Sequence, residues 1–138
     1  MKKLIILCAV VLGFTVAASA QTDTKPEFKF TEEAHNFGKV PQGKPVTFNF
    51  EYTNIGEEPL IITDVRPQCG CTIADYTKVP VKKGDKGVIK ITYNAAVAST
   101  FNKAITVTSN AKTPQKVLYI SGEVMATTAP ASATTGDK

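Results

Sequence analysis

The sequence has 138 residues, with 16 Lys or Arg against 12 Asp or Glu and a single His, for a formal net charge of +4. Its charges are scattered and form no basic stripe with interleaved aromatics, so composition argues against a nucleic-acid-binding surface. The length suits one ordinary domain.

Residues 1–20 read as a secretory signal. Lys2 and Lys3 give a positive start, Leu4 to Ala18 is an apolar run, and Ala18-Ser19-Ala20 offers the small residues a signal peptidase needs before Gln21. The expected cleavage therefore falls between Ala20 and Gln21. A membrane anchor would need about 20 apolar residues, and this run is shorter, without a basic flank after it. Cys8 lies inside the apolar run behind Leu7, which does not suit a lipid-attachment site. The exported chain is expected in the periplasm or outside the cell, with no membrane span. Loss of Lys2 and Lys3 leaves 14 basic residues against 12 acidic ones, a net charge of about +2.

Residues 21–27 are polar and read as a flexible lead-in. Strands follow. Val46 to Thr53 alternates, with Val46, Phe48, Phe50 and Tyr52 on one face and Thr47, Asn49, Glu51 and Thr53 on the other. Ile89, Ile91 and Tyr93 alternate in the same way, as do Ile105 and Val107, and Leu118, Ile120 and Val124 with Gly122. Shorter strands are expected at Phe28–Phe30, His35–Phe37, Leu60–Val65 and Thr72–Tyr76. Turn residues separate them at Val40-Pro41-Gln42-Gly43, Asn54-Ile55-Gly56, Lys83-Gly84-Asp85 and Ser109-Asn110. Residues 125–138 form an Ala/Thr-rich tail. From Ala126 on it has no large apolar side chain, so its burial cannot offset its ordering entropy.

No window carries a helical stripe. Seven or eight short strands over residues 28–124 predict an all-β, immunoglobulin-like sandwich. The sequence has no Trp. With Cys69 and Cys71 only two residues apart, the inter-sheet Cys…Trp…Cys pattern of antibody domains is absent.

Cys69-Gly70-Cys71 is the one local feature that invites chemistry. Two cysteines in an exported chain permit a disulfide, and Gly70 is expected to let the backbone curl enough to close it. Four readings stay open: a local disulfide, a redox-active dithiol, a thiolate metal site, or a free thiol pair. The local disulfide ranks first. A metal centre usually needs more than two ligands, and His35 and Met125 are remote in sequence. His35 alone lacks a specified nucleophile. Asp64, Asp75 and Asp85 occupy separate segments without a calcium-loop spacing. Glu32-Glu33 and Glu57-Glu58 read as turn residues. The sequence therefore specifies no catalytic residue, no metal site and no cofactor.

One resemblance covers nearly all of the expected domain. Phe37-Gly38-Lys39-Val40-Pro41-Gln42-Gly43 leads into Phe48-x-Phe50-x-Tyr52-Thr53-Asn54-x-Gly56-x-x-Pro59-Leu60-x-Ile62. Cys69-Gly70-Cys71-Thr72, Pro80 before Lys83-Gly84, Ile91-x-Tyr93, Ser109-Asn110 and Ile120-x-Gly122-x-Val124 follow. In this order they resemble the exported bacterial domain-of-unknown-function family 1573. That family is similar to the immunoglobulin-like sandwiches of major-sperm-protein and ASH type, which mostly serve as binding modules. The resemblance implies a non-enzymatic envelope module whose partner is another protein or envelope component. The runner-up is a thiol protein that uses Cys69 and Cys71 for redox exchange or metal capture.

Overall fold

The computed structural model describes residues 19–20 and 22–127. The expected signal lies outside them except for Ser19 and Ala20, as do Gln21 and the tail from residue 128.

Two four-stranded sheets pack face to face, and no helix occurs among the described residues. The strands are β1 (Phe28–Phe30), β2 (Ala34–Pro41), β3 (Val46–Asn54), β4 (Ile62–Pro67), β5 (Thr72–Tyr76), β6 (Lys86–Tyr93), β7 (Thr100–Ser109) and β8 (Gln115–Met125). One sheet has the order β1-β3-β6-β5 and the other β2-β8-β7-β4. This is the all-β immunoglobulin-like sandwich that the alternation predicted. Neighbours pair antiparallel except β2 and β8, which run parallel.

The alternation decides which side chains are buried, because a strand shows one residue in two to each face. Phe50, Ile89, Ile91, Ile105, Leu118 and Ile120 are fully buried. The register sets Phe50 opposite Ile89 in one sheet and Ile105 opposite Leu118 in the other. Phe48, expected in this core, is only half-buried and packs at its margin. Tyr52 is also buried, and its ring fills the space above Gly87, where a Cβ would overlap it.

Among the described residues, the Tyr52 hydroxyl has no hydrogen-bond partner. Thr77 lies close by, but its hydroxyl is committed to the β6 backbone, accepting from the Val88 amide at 3.0 Å and donating to the Val88 carbonyl at 3.3 Å, and it does not reach Tyr52 in hydrogen-bond geometry. Burial pushes the Tyr52 hydroxyl up to about 12. An unpaired buried hydroxyl costs free energy, so Tyr52→Phe should leave stability unchanged or raise it by roughly 1 kcal/mol. The unfolded chain loses this proton near pH 10, the folded chain only near pH 12. Stability should therefore fall as pH rises between those values, because the unfolded state binds fewer protons there. Urea titrations at pH 8 and pH 11 should show a smaller loss in Tyr52→Phe than in the parent. An equal loss would assign the alkaline sensitivity elsewhere.

The lead-in departs from expectation. Pro26 is fully buried. Its carbonyl accepts from the Lys112 amide at 2.8 Å, the Thr24 carbonyl from the Glu58 amide at 3.0 Å, and the Glu27 carbonyl from the Ile55 amide at 3.0 Å. Lys112 Nζ meets Asp23 at 2.9 Å and holds that carboxyl below its usual range. The segment thus lies along the turns that follow β3 and β7. Backbone hydrogen bonds hold it, which its polar composition did not disclose.

Gly56 belongs to this contact. A Cβ there would overlap the Lys25 carbonyl oxygen and Pro26 Cα. Glycine is needed for close backbone approach rather than for a left-handed turn. Gly56→Ala should cost roughly 1–3 kcal/mol and speed amide exchange at Ile55, Glu58 and Lys112, whose amides the lead-in carbonyls hold. Unchanged stability and unchanged exchange would show that the lead-in contact contributes nothing.

Candidate functional site

The C-G-C segment sits where the chain crosses from one sheet to the other. At its start, the Gln68 amide donates to the Ala104 carbonyl at 2.9 Å, and Gln68 Oε1 accepts from the Ala104 amide at 3.3 Å. The chain is thus still tied to β7. At its end, the Cys71 carbonyl accepts from the Asn94 amide at 3.0 Å, which opens the β5–β6 ladder. Cys69 and Gly70 make the crossing.

The two sulfurs lie at disulfide distance, with Cα atoms 5.3 Å apart. Both cysteines are half-buried, and Cys71 packs against the core. The Thr72 hydroxyl lies 3.8 Å from the Cys69 sulfur and 4.0 Å from the Cys71 sulfur. The geometry suits a local staple across the sheet-to-sheet crossover.

Gly70 is not the device that the sequence suggested. Its φ is not positive, and apart from its two chain neighbours no atom among the described residues lies within 4 Å of where a Cβ would be. The turn closes with ordinary backbone angles, so a side chain at 70 would point into open space.

The other candidates are dispersed. His35 stacks flat on Phe48, with ring centroids 3.6 Å apart, and meets Phe37 edge-on at 4.8 Å. Its Nδ1 lies 3.2 Å from Glu32. Asp64 pairs with Arg66 at 3.1 Å. Asp75 accepts from the Tyr76 amide at 2.9 Å. Asp85 joins the β3–β6 end through its backbone carbonyl, which accepts from the Asn54 amide. Glu57 pairs with Lys83, Glu58 accepts from the Thr24 hydroxyl, and Glu33 meets Lys116 at 2.7 Å. Among the described residues, no group of three or more His, Cys, Asp or Glu comes together as metal ligands. Ala20 is exposed.

The motif residues converge on architecture instead. Asn54 is fully buried. Its Nδ2 donates to the Glu58 carbonyl at 2.7 Å and the Val81 carbonyl at 2.9 Å. Its Oδ1 accepts from the Gly56 amide at 2.9 Å and the Glu27 amide at 3.3 Å. Asn110 clamps the start of β4: its Oδ1 accepts from the Ile61 amide at 2.7 Å, and its Nδ2 donates to the Pro59 carbonyl at 3.0 Å. Gly43 and Gly84 take φ of +75° and +79°, which other residues resist.

Residues 28–124 match the pattern of DUF1573, described as a protein of unknown function. The chain belongs to that family. No curated protein matches it. Among solved structures, it is similar to a protein of unknown function from Porphyromonas gingivalis, at 16% identity and a TM-score of 0.67. That match covers 75% of this chain and 49% of the other, so this family member spans about half its neighbour's length. It is also similar to the Vibrio cholerae VesB protease, at 17% identity and a TM-score of 0.59, over 72% of this chain and 32% of the protease. An ASH/PapD-like domain of human CEP192 matches at 13% identity and a TM-score of 0.56, over 75% of this chain and 87% of that one. At these identities the likenesses establish the fold.

Proposed function

We propose that this DUF1573 chain is an exported, non-enzymatic sandwich module that binds or spaces other proteins in the bacterial envelope. The observation that carries the reading is the use made of the family's own motif. Asn54, Gly56, Leu60 and Asn110 tie turns and strands together, which is the work of a rigid scaffold. The only histidine is held by Phe48, Phe37 and Glu32. The likeness to an ASH/PapD-like domain supports a binding module. The protease likeness extends to 32% of that enzyme and brings no activity with it.

Export rests on the N-terminal pattern, and the paired cysteines agree with an oxidising compartment. The exported protein should begin at Gln21, cyclised or not. Mass spectrometry of the envelope fraction checks this, and a chain that retains Met1 there would refute it.

In the same reading, Cys69 and Cys71 are bonded to each other and stiffen the crossover. A loop this short gains little unfolded-state entropy from closure, so reduction should lower the melting temperature by only a few degrees. Gly70→Ala should keep both the bond and the fold. Alkylation under non-reducing conditions should leave both thiols unlabelled. Two labelled thiols, or a dimer linked through these cysteines, would reject the intramolecular bond.

A further inference from the structure

β1 covers only the far end of β3. It pairs with Tyr52, Thr53 and Asn54, and then the chain departs at Thr31 for the other sheet. The backbone alternation shows what is left open. The Glu51 carbonyl accepts from the Thr31 amide, and the Ile55 amide donates to the Glu27 carbonyl. Odd-numbered residues of β3 therefore turn their backbone groups toward β1, and even-numbered ones toward β6. Thr47 and Asn49 share that parity. Their backbone groups face outward with no strand beside them among the described residues.

The remaining edges are blunted, as exposed edges usually are. β1 has three residues. β2 is broken by an irregularity between Asn36 and Lys39, and β4 by one between Ile62 and Asp64. β5 satisfies itself locally. Cys71 and Thr77 bond inward to β6, so Thr72, Ala74 and Tyr76 face out, and the Thr72 and Tyr76 amides are taken by the Cys69 carbonyl and the Asp75 carboxylate.

A hollow of about 240 Å³ lies against the open half of β3, lined by Thr31, Glu32, Phe48, Asn49 and Glu51. It joins two carboxylates to an aromatic ring. Among the described residues, Glu51 makes no ion pair. On the inner side, Val46 and Phe48 are only partly buried.

Resting on the binding-module reading, we propose that Val46–Phe50 of β3 is a docking edge for an extended segment of another protein that alternates basic and apolar residues. Its main chain pairs with Thr47 and Asn49 as an added strand. Residues opposite Thr47 and Asn49 lie on the outer face, where a Lys or Arg reaches the Glu51 carboxylate, while Glu32, 3.2 Å from His35, lines the hollow beside it. The intervening residues turn inward and cover Val46 and Phe48. The carboxylates select the charge of the occupant, on a protein that is itself mildly basic.

The probe is a capped peptide, Thr-Lys-Val-Lys-Val-Lys-Thr, with a control that carries Glu in place of Lys. On titration into the purified protein, amide exchange at Thr47 and Asn49 should slow by about tenfold, and the control should bind about tenfold more weakly. Asn49→Pro removes an outward amide and spares the ladder to β6, so it should abolish binding with the melting temperature nearly kept. Glu51→Gln should weaken binding of the Lys peptide alone. Protection at Ala74 instead, equal affinity for the two peptides, or no binding at about 1 mM would overturn the proposal. A heteromeric adduct in the native envelope alongside any of those results would leave the binding-module reading standing and this edge refuted.

Discussion

Phe50→Ala should lower unfolding free energy by roughly 3–5 kcal/mol. The ring is fully buried, lies opposite Ile89 across the β3–β6 ladder and meets Phe48 edge-on at 4.9 Å. Truncation removes its transfer free energy and leaves a cavity that eight tethered strands can close only in part. Urea unfolding followed by fluorescence or circular dichroism provides the check, with the slope against denaturant unchanged. Deletion of residues 126–138 is the companion control. It spares the Met125 carbonyl, which accepts from the Gln42 amide at 2.9 Å, so the midpoint should not move. Equal losses from the two changes would overturn the face assignment of β3.

Asn54→Ala should be nearly as damaging, at roughly 3–5 kcal/mol, although it removes a polar side chain. Three backbone groups lose their partner together, the Glu58 carbonyl and the Gly56 and Glu27 amides, and the Val81 carbonyl keeps only the Leu60 amide. Each of the three is part-buried, and a buried group left without a partner costs about 1–3 kcal/mol. The same side chain joins the lead-in, the turn after β3 and the Leu60–Val81 bridge. The mutant should therefore lose protection from hydrogen exchange at Ile55, Glu58 and Val81 before the rest of the sandwich opens. A loss below about 1 kcal/mol would mean that water replaces the amide and that Asn54 is only a turn residue.

The core strands were legible because alternation and burial coincide. Phe28–Phe30 and Thr72–Tyr76 fall where the sequence placed them, and Val46–Asn54 is one residue longer than expected. β7 begins at Thr100 rather than Ile105, because Asn102 and Lys103 mask the inward-facing Phe101. β2 runs on to Pro41 past Gly38, whose φ of +67° interrupts the register with β8. The local sequence around His35 gave no sign of a parallel partner more than eighty residues away. The lead-in was missed for a similar reason. Pro26 is the one buried residue among the described residues of a polar run, and its partners come from the turns at Gly56 and Lys112.

The candidate site was legible only as chemistry. The spacing of Cys69 and Cys71 suggested a local disulfide, but not that the pair sits at the sheet crossover, nor that Gly70 there lacks a positive φ and has open space where a Cβ would be. His35 read as a lone residue, whereas the fold stacks it on Phe48 beside the open half of β3. That opening follows from where β1 stops, a property of strand pairing that no window of residues contains.

Crosslinking in the native envelope tests the binding-module reading most directly. A photoreactive residue placed in turn at positions 49, 73 and 119 samples the β3 edge, the β5 edge and the exposed face of β8. The account predicts one discrete adduct with a second protein, formed from position 49 and lost in Asn49→Pro when the crosslinker is moved to position 47. Monomer alone from all three positions, with the protein folded and exported, would contradict it.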